Sequence, residues 1–216
     1  MRSNFSRMTQ PANAPIADIA SSIPSWTSGV LPTVSLQQCI GNLPPELIAQ
    51  KEDLLKDRVA IEMKKYFRAD FKRISHAGRV ARYADRIGKS ENGNLAIILT
   101  SAYLHDIGIV EAEKKHNGAA PEHHEQEGVP IAREILEKLG APEPLVAAVC
   151  DIVGHHHHPR DEESLEFKAV YDADLIANLE SESQENPVDE DQIREMIEKA
   201  FLTSGGKNEA QKVLCR

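Results

Sequence analysis

Apolar residues recur every three or four positions through most of the chain after residue 43, which is the spacing of one face of an α-helix. Sustained alternation of apolar and polar residues, the pattern of a half-buried strand, is absent from the sequence. Residues 94–108 are almost all apolar, which indicates a buried helix. We therefore predict an all-α fold. The predicted helices cover residues 44–67, 71–88, 94–108, 128–140, 143–158, 165–180 and 189–201.

Several residues mark the expected ends of these helices. Gly88 and Gly140 each follow a helical pattern and are predicted to end it. Asp189 precedes the last pattern and is predicted to be its N-cap. Residues 203–210, TSGGKNEA, resemble a phosphate-binding loop but lack its first glycine and the Ser or Thr after Lys207. We interpret this segment as a turn between two helices.

The first 42 residues differ from the rest of the chain. They are rich in Ser, Pro, Asn and Gln, and their apolar residues follow no sustained period. We predict a loosely ordered N-terminal extension over residues 1–42, followed by one helical domain over residues 43–216. The whole chain has 216 residues, a length that suits one domain with an extension.

Composition narrows the choice of partners. Hydrophobic residues make up 41 % of the chain but aromatic residues only 5 %, so we expect a mainly aliphatic core. The formal net charge is −9, and no run of Lys and Arg exceeds two residues. Extended nucleic acid is therefore not an expected partner, because its binding needs a basic face. A small phosphorylated substrate remains compatible with this charge.

The cysteines and apolar runs bear on location. Cys39, Cys150 and Cys215 are odd in number, far apart and form no CxxC pair, which fits a reducing compartment. No apolar run approaches about 20 residues, the length of a membrane span, and the N-terminus lacks the apolar core of a signal peptide. We expect a cytoplasmic protein without membrane contact. Whether it forms a homo-oligomer is left open.

All nine histidines lie between residues 76 and 158. His76 shares a helical face with apolar residues, and His105 and Asp106 end the most apolar predicted helix. Further His and Asp residues occur on other predicted helices at spacings that direct them towards the interior. Imidazole and carboxylate groups that converge from several helices are the ligands of a transition-metal centre. The pattern therefore predicts such a centre inside the bundle.

An ordered series of motifs carries a resemblance to a known family. The motifs are ISHAGRVARYA, YLHDIG, HHEQEGVPIA, IVGHHHH and YDADLIANL, and they span most of the helical body. The series resembles the HD-domain superfamily of metal-dependent phosphohydrolases. The resemblance implies an HD-like helical bundle that binds one or two divalent transition-metal ions, from among Fe, Mn, Zn, Ni and Co.

The resemblance also implies which residues bind metal. The set carried over, with two ions preferred, is His76, His105, Asp106, His124, His155, His156 and Asp174. Asp106 is the expected bridging ligand and catalytic residue. His123 competes with His124, but Gly128, four residues after His124, fits the family pattern better. His157 and His158 have no counterpart in the family, and we expect them at a solvated helix end.

The implied activity is hydrolysis of a phosphomonoester or phosphodiester, with a nucleotide expected, by a metal-activated hydroxide. Arg79, Lys115 and His116 are candidate contacts for the substrate phosphate. Ile109 departs from the family pattern, because many relatives carry a catalytic Glu or a Lys at this position. Two alternatives stay open: a di-iron HD-type oxygenase, and a regulatory or binding module that retains its metal.

Overall fold

The computed structural model describes the backbone of residues 45–185 and 189–215, and the side chains of residues 54–183 and 189–215. Every regular element within these ranges is an α-helix, so the predicted all-α fold is confirmed. The predicted N-terminal extension, residues 1–42, lies outside the described residues. The helices are α1 (Pro45–Phe67), α2 (Phe71–Glu91), α3 (Leu95–Leu104), α4 (Ile109–His116), α5 (Pro121–Lys138), α6 (Glu143–Val153), α7 (Leu165–Glu185), α8 (Glu190–Ala200) and α9 (Ser204–Leu214).

The apolar helix α3 packs against four others, namely α1, α2, α6 and α7. Its residues Ile98, Ala102 and Leu104 are fully buried. Helices α2 and α7 pack along each other, and α5 packs on α4 and α6. Two clusters of mainly aliphatic side chains form the core, as the composition predicts. The C-terminal end of α3 therefore lies inside the bundle, where the metal-type ligands are expected.

The statement that no apolar run approaches the length of a membrane span needs one correction. By length and composition, Leu95–His116 could cross a membrane. In the structure it forms α3 and α4, which are separated by a turn at residues 105–108. Within its most apolar window, 61 % is buried inside the bundle. Packing against neighbouring helices therefore accounts for this apolar sequence.

The predicted end at Gly88 is wrong, because α2 continues to Glu91. The helix instead ends before Asn92, which adopts the left-handed conformation with φ of 58°. Gly88 lies where α2 meets α3, since a Cβ atom there would be 2.8 Å from Cδ1 of Ile98. Gly88 therefore allows a close contact between α2 and α3 and does not end the helix.

Other helix ends agree with the sequence more closely. Asp189 is the N-cap of α8, where its side chain accepts a hydrogen bond from the backbone N–H of Asp191, so this prediction is confirmed. Gly140 follows α5 with φ of +74°, as expected at a helix C-terminus. The prediction missed α4 entirely and placed the start of α5 at residue 128, whereas α5 begins at Pro121.

The segment TSGGKNEA is not a turn, because it forms the start of α9. Thr203 caps this helix, and its hydroxyl accepts a hydrogen bond from the backbone N–H of Gly206 at 2.8 Å. The glycines allow a close approach to α7, since a Cβ atom on Gly206 would lie 2.0 Å from Oδ2 of Asp172. The two glycines that suggested a turn are therefore packing residues of a helix.

Candidate metal centre

Ligand-type side chains reach one interior region from several elements. His76 lies in the middle of α2, and Asp174 lies in the middle of α7. His105 and Asp106 begin the turn after α3, and His124 lies in the first turns of α5. The histidines after α6 belong to a turn that begins at residue 154. The fold thus brings together groups that lie up to 98 positions apart in the chain.

Four of these residues form the first group, which we call site A: His76, His105, Asp106 and Asp174. Nε2 of His76 lies 2.9 Å from Oδ1 of Asp174 and 3.2 Å from Nε2 of His105. Nε2 of His105 lies 3.3 Å from Oδ2 of Asp106 and 3.6 Å from Oδ1 of Asp174. Two imidazole nitrogens and two carboxylate oxygens therefore face a common point.

A second group, which we call site B, contains Asp106, His124, His156 and His157. A ligand atom from each of these four residues lies within 4.8 Å of the others. Nε2 of His124 lies 3.3 Å from Nε2 of His156 and 3.5 Å from Oδ1 of Asp106. Nε2 of His156 is 3.7 Å from the same Asp106 oxygen. Site B thus offers three imidazoles and one carboxylate oxygen.

Asp106 divides its two oxygens between the two sites. Its Oδ2 faces His105 at 3.3 Å and His76 at 3.7 Å, which are residues of site A. Its Oδ1 faces His124 and His156 of site B. A carboxylate held in this way can bind one cation through each oxygen. Sites A and B could therefore each hold a metal ion and share Asp106.

The outer ring nitrogens of three histidines are held by backbone carbonyls. Nδ1 of His105 lies 2.9 Å from the carbonyl oxygen of Ala102, and Nδ1 of His156 lies 3.0 Å from that of Val153. Nδ1 of His124 lies 3.1 Å from a carbonyl oxygen in the segment before α5. Because a carbonyl only accepts, Nδ1 carries the proton when the ring is neutral. Nε2 is then left as a lone-pair ligand that points into the centre.

Charges within the centre alter the pKa of its residues. Burial alone would lower the pKa of His105, but the nearby carboxylates of Asp106 and Asp174 raise it to about 9. Burial alone would raise the pKa of Asp106, yet His105 and His156 hold it well below its usual value. The carboxylates are therefore ionised at neutral pH, and in the absence of a cation His105 carries a proton that stabilises them.

The histidines of site B are affected in the opposite sense. Burial lowers the pKa of His124, and this effect outweighs the attraction of Asp106. Burial, followed by the charge of His156, lowers the pKa of His157 to about 4. Both rings are consequently neutral at pH 7, the form in which imidazole binds a metal. The donor sets of both sites thus fit divalent transition-metal ions, with more oxygen donors at site A.

A cleft of about 880 Å³ opens onto site A. His76 and Asp106 line it, and α2 and α7 supply much of the remaining lining. Arg79, predicted from the sequence as a substrate contact, lines this cleft. Its terminal nitrogen donates a hydrogen bond to the hydroxyl of Ser181 at 2.8 Å. Asp106 is therefore accessible from solvent, although it is largely enclosed by histidines.

The cleft also contains polar residues that sequence reasoning missed. Lys72 and Asn178 both line it. Lys72 lies one helical turn before His76, so its position on the same face of α2 was a signal available in the sequence. Asn178 lies one turn after Asp174 on α7 and donates a hydrogen bond to it at 3.1 Å. Ile109, the residue that departs from the family pattern, is an apolar part of the wall.

Lys115 and His116 do not line this cleft. Nζ of Lys115 lies 2.7 Å from Oε2 of Glu127, and Nε2 of His116 lies 3.1 Å from Oε1 of the same residue. The ring of His116 also stacks on that of His123 at 4.1 Å between centroids. Lys115, His116 and the alternative ligand His123 therefore contribute to the contact between α4 and α5.

His155, a predicted metal ligand, is not brought to either site. Its Nδ1 lies 2.6 Å from the carbonyl oxygen of Asp151, its Nε2 lies 2.9 Å from Oε1 of Glu163, and its ring stacks on Phe167. His157, expected at a solvated end, takes part in site B instead. The predicted helix covered residues 143–158, but α6 ends at Val153 and the following turn redirects the side chains of the histidines.

Comparison with known proteins agrees with this geometry. The family model described as HD domain matches residues 73–179. A predicted HD superfamily hydrolase from an uncultured Thermotogales bacterium has a similar fold, with a TM-score of 0.53 and 23 % identity over 73 % of this chain and 83 % of that one. YpgQ of Bacillus subtilis also has a TM-score of 0.53, with 21 % identity over 76 % of this chain and 90 % of its own. No curated protein matched the chain.

The matched residues 73–179 include every residue of sites A and B. The order of the motifs, the helical architecture and the convergence of histidines on Asp106 all agree with the family match. Members of this superfamily are generally metal-dependent hydrolases. Residues 73–179 of the chain thus match the HD-domain family.

Proposed function

We propose that the protein is a metal-dependent phosphohydrolase that cleaves a phosphomonoester or phosphodiester, and that its substrate is a nucleotide. The observation that carries this proposal is the position of Asp106. Its two oxygens face two separate groups of histidines, and it lines an open cleft. A purely structural metal site would need neither a shared carboxylate nor an accessible position.

Divalent ions bound at sites A and B would supply positive charge for phosphoryl oxygens and would lower the pKa of a water molecule towards neutrality. The protein's own part is to hold these ligands in place. Asp106 joins the two sites, and backbone carbonyls fix the rings of His105 and His156 with Nε2 directed inwards. Because the ligands are held before substrate arrives, little reorganisation is needed during the reaction.

Two cations on α2 support the proposal that this cleft binds a phosphate. Lys72, His76 and Arg79 lie on one face of this helix, and all three line the cleft. Arg79 is held against α7 by Ser181. Lys72 is exposed, and its ammonium makes no ion pair with the side chains described. These residues would balance the negative charge of a phosphoester that reaches site A.

The size of the cleft supports a substrate larger than inorganic phosphate. Its volume of about 880 Å³ lies at the upper end of small-molecule sites, which span roughly 300–1,000 Å³. Polar side chains occur beside the apolar residues Ile109 and Ala119. Such a mixture suits a ligand with a charged end and a less polar body, as a nucleotide has. A small phosphorylated substrate is thus the proposed partner.

The proposal is tested by assaying the purified full-length protein against a panel of phosphomonoesters and phosphodiesters with Mn²⁺, Fe²⁺ or Zn²⁺ added. We expect phosphate release from nucleotides that is abolished by Asp106→Ala and retained by Asp57→Ala, an exposed substitution on α1. Oxygen consumption without phosphate release would favour the oxygenase alternative. Absence of turnover with every metal and ester would contradict the proposal.

A further inference from the structure

The carboxylate of Asp174 has two different environments. Its Oδ1 lies 2.9 Å from Nε2 of His76 and 3.6 Å from Nε2 of His105, so this oxygen belongs to site A. Its Oδ2 accepts a hydrogen bond from Nδ2 of Asn178 at 3.1 Å. Asn178 lies four residues later on α7, so the two side chains share one face of the helix.

The contact between Asp174 and Asn178 defines the orientation of the Asn178 amide. Nδ2 of Asn178 donates to Oδ2 of Asp174, while Oδ1 faces the imidazoles of His76 and His105. An ionised carboxylate only accepts hydrogen bonds, so the NH₂ group of Asn178 must face it. The amide oxygen of Asn178 is then directed away from Asp174.

This hydrogen bond restricts a movement that the aspartate side chain would otherwise make freely. The terminal torsion of aspartate is broad, so rotamer preference alone does not decide which oxygen faces the metal. Without a partner, Oδ2 could turn inwards and bind the same cation as Oδ1. A donor fixed on Oδ2 prevents that second bond and keeps one coordination position available for water or substrate.

We infer that Asn178 is a positioning residue for site A, holding Asp174 so that it binds the cation through Oδ1 alone. The inference rests on the proposed metal centre and extends it to a residue that is not itself a ligand. Groups that orient metal ligands in this way contribute about 10- to 100-fold to metal affinity. Asn178 would therefore act on site A and leave site B unaffected.

A purely structural role fits Asn178 less well. Its side chain is exposed on the wall of the cleft and contributes nothing to the two apolar clusters of the core. Its substitution should therefore leave the metal-free fold intact. Ser181 provides a matched control, since it also lines the cleft from α7 but binds Arg79 and not Asp174.

The experiment measures Mn²⁺ binding by the full-length protein after chelator treatment, with free Mn²⁺ followed by its EPR signal. We expect Asn178→Ala to weaken one of two dissociation constants by about 10- to 100-fold and to leave the other unchanged. Asn178→Asp, which has the same shape without a donor, should lose at least as much. Asn178→Gln should retain most of the affinity, because a Gln at this spacing can still donate to the aspartate. Ser181→Ala should bind both ions as the wild type does.

Thermal unfolding of the metal-free variants shows whether the fold is retained, and Asn178→Asp serves if Asn178→Ala does not fold. Wild-type binding of both ions by the Asn178 variants would overturn the inference, as would an equal loss in Ser181→Ala. These results would leave the metal centre itself standing. Failure of the wild-type protein to bind Mn²⁺ would instead contradict the metal centre, and this inference with it.

Discussion

Gly108 lies directly against the backbone that carries His124. A Cβ atom on Gly108 would be 2.1 Å from the carbonyl oxygen of His124 and 2.4 Å from the backbone nitrogen of Gly128. The turn after α3 and the helix α5 therefore approach each other too closely for a side chain at residue 108. This contact links the position of Asp106, two residues before the glycine, to that of a site B histidine.

We therefore expect Gly108→Ala to separate α4 from α5. The clash is with backbone atoms, which cannot rotate away, so the free energy of unfolding should fall by about 1–3 kcal/mol or more. Gly78→Ala is the control, because a Cβ atom there meets nothing within 4 Å in the middle of α2. It should stabilise the protein by about 0.5–1 kcal/mol. Urea unfolding of the metal-free proteins measures both, and equal stability of the two variants would contradict the prediction.

The placement of the histidine run predicts different effects for neighbouring residues. His157→Ala should remove a ligand of site B and leave one tightly bound ion per chain. His158→Ala should retain two ions, since His158 is exposed and hydrogen-bonded to Glu125, outside both sites. His155→Ala should also retain both ions but unfold at a lower temperature, because it loses its contacts with Glu163 and Phe167. Elemental analysis of gel-filtered protein gives the number of metal ions bound per chain.

The comparison of ion content between His155→Ala and His157→Ala tests which ring belongs to site B. Loss of an ion in His155→Ala together with full retention in His157→Ala would mean that the turn after α6 presents the other face of the histidine run. His155, and not His157, would then be the ligand of the second ion.

Protonation of His105 predicts the pH dependence of metal binding. The raised pKa of about 9 means that the metal-free protein holds a proton on this ring at neutral pH. A cation at site A must displace that proton, so its apparent affinity should rise by about tenfold per pH unit below the pKa and level off above it. Mn²⁺ titration between pH 6 and 8, with proton release measured in buffers of different ionisation enthalpy, tests this. Affinity independent of pH would contradict it.

Lys72 is predicted to contribute to substrate binding and not to metal binding. Lys72→Ala should raise KM about tenfold, from the loss of roughly 1.5 kcal/mol of charged hydrogen bonding, and should leave the metal content unchanged. Lys64→Ala, an exposed lysine of α1 outside the cleft, is the matched control and should leave KM unchanged. An unaltered KM in Lys72→Ala would remove this residue from the substrate site.

Much of the fold and part of the centre could be predicted from local patterns. Helical spacing identified α1, α2, α3, α6, α7 and α8, and the ordered motifs identified His76, His105, Asp106, His124, His156 and Asp174, which the structure brings together. Apart from His156, which lies in the turn after α6, these residues lie within helices or directly at their ends, where sequence spacing determines direction.

The predicted and observed positions of the other residues differ for two reasons. Either the residue lies beyond the end of a helix, or a contact with a residue far away in the sequence determines its position. His155 and His157 follow the end of α6, so helical counting no longer indicates which ring faces inwards. Lys115 and His116 are drawn to Glu127, a residue of the next helix that local patterns do not place beside them. Gly206 is required by its contact with α7, which only the folded chain shows.

The central claim is that Asp106 joins two metal ions, and EPR spectroscopy of the protein loaded with Mn²⁺ tests it most directly. Two ions bridged by one carboxylate lie about 3.5–4 Å apart, close enough for their spins to couple. We predict two Mn²⁺ ions per chain with a coupled spectrum that is lost in Asp106→Ala. A single ion, or two ions with uncoupled spectra in the wild-type protein, would contradict the account.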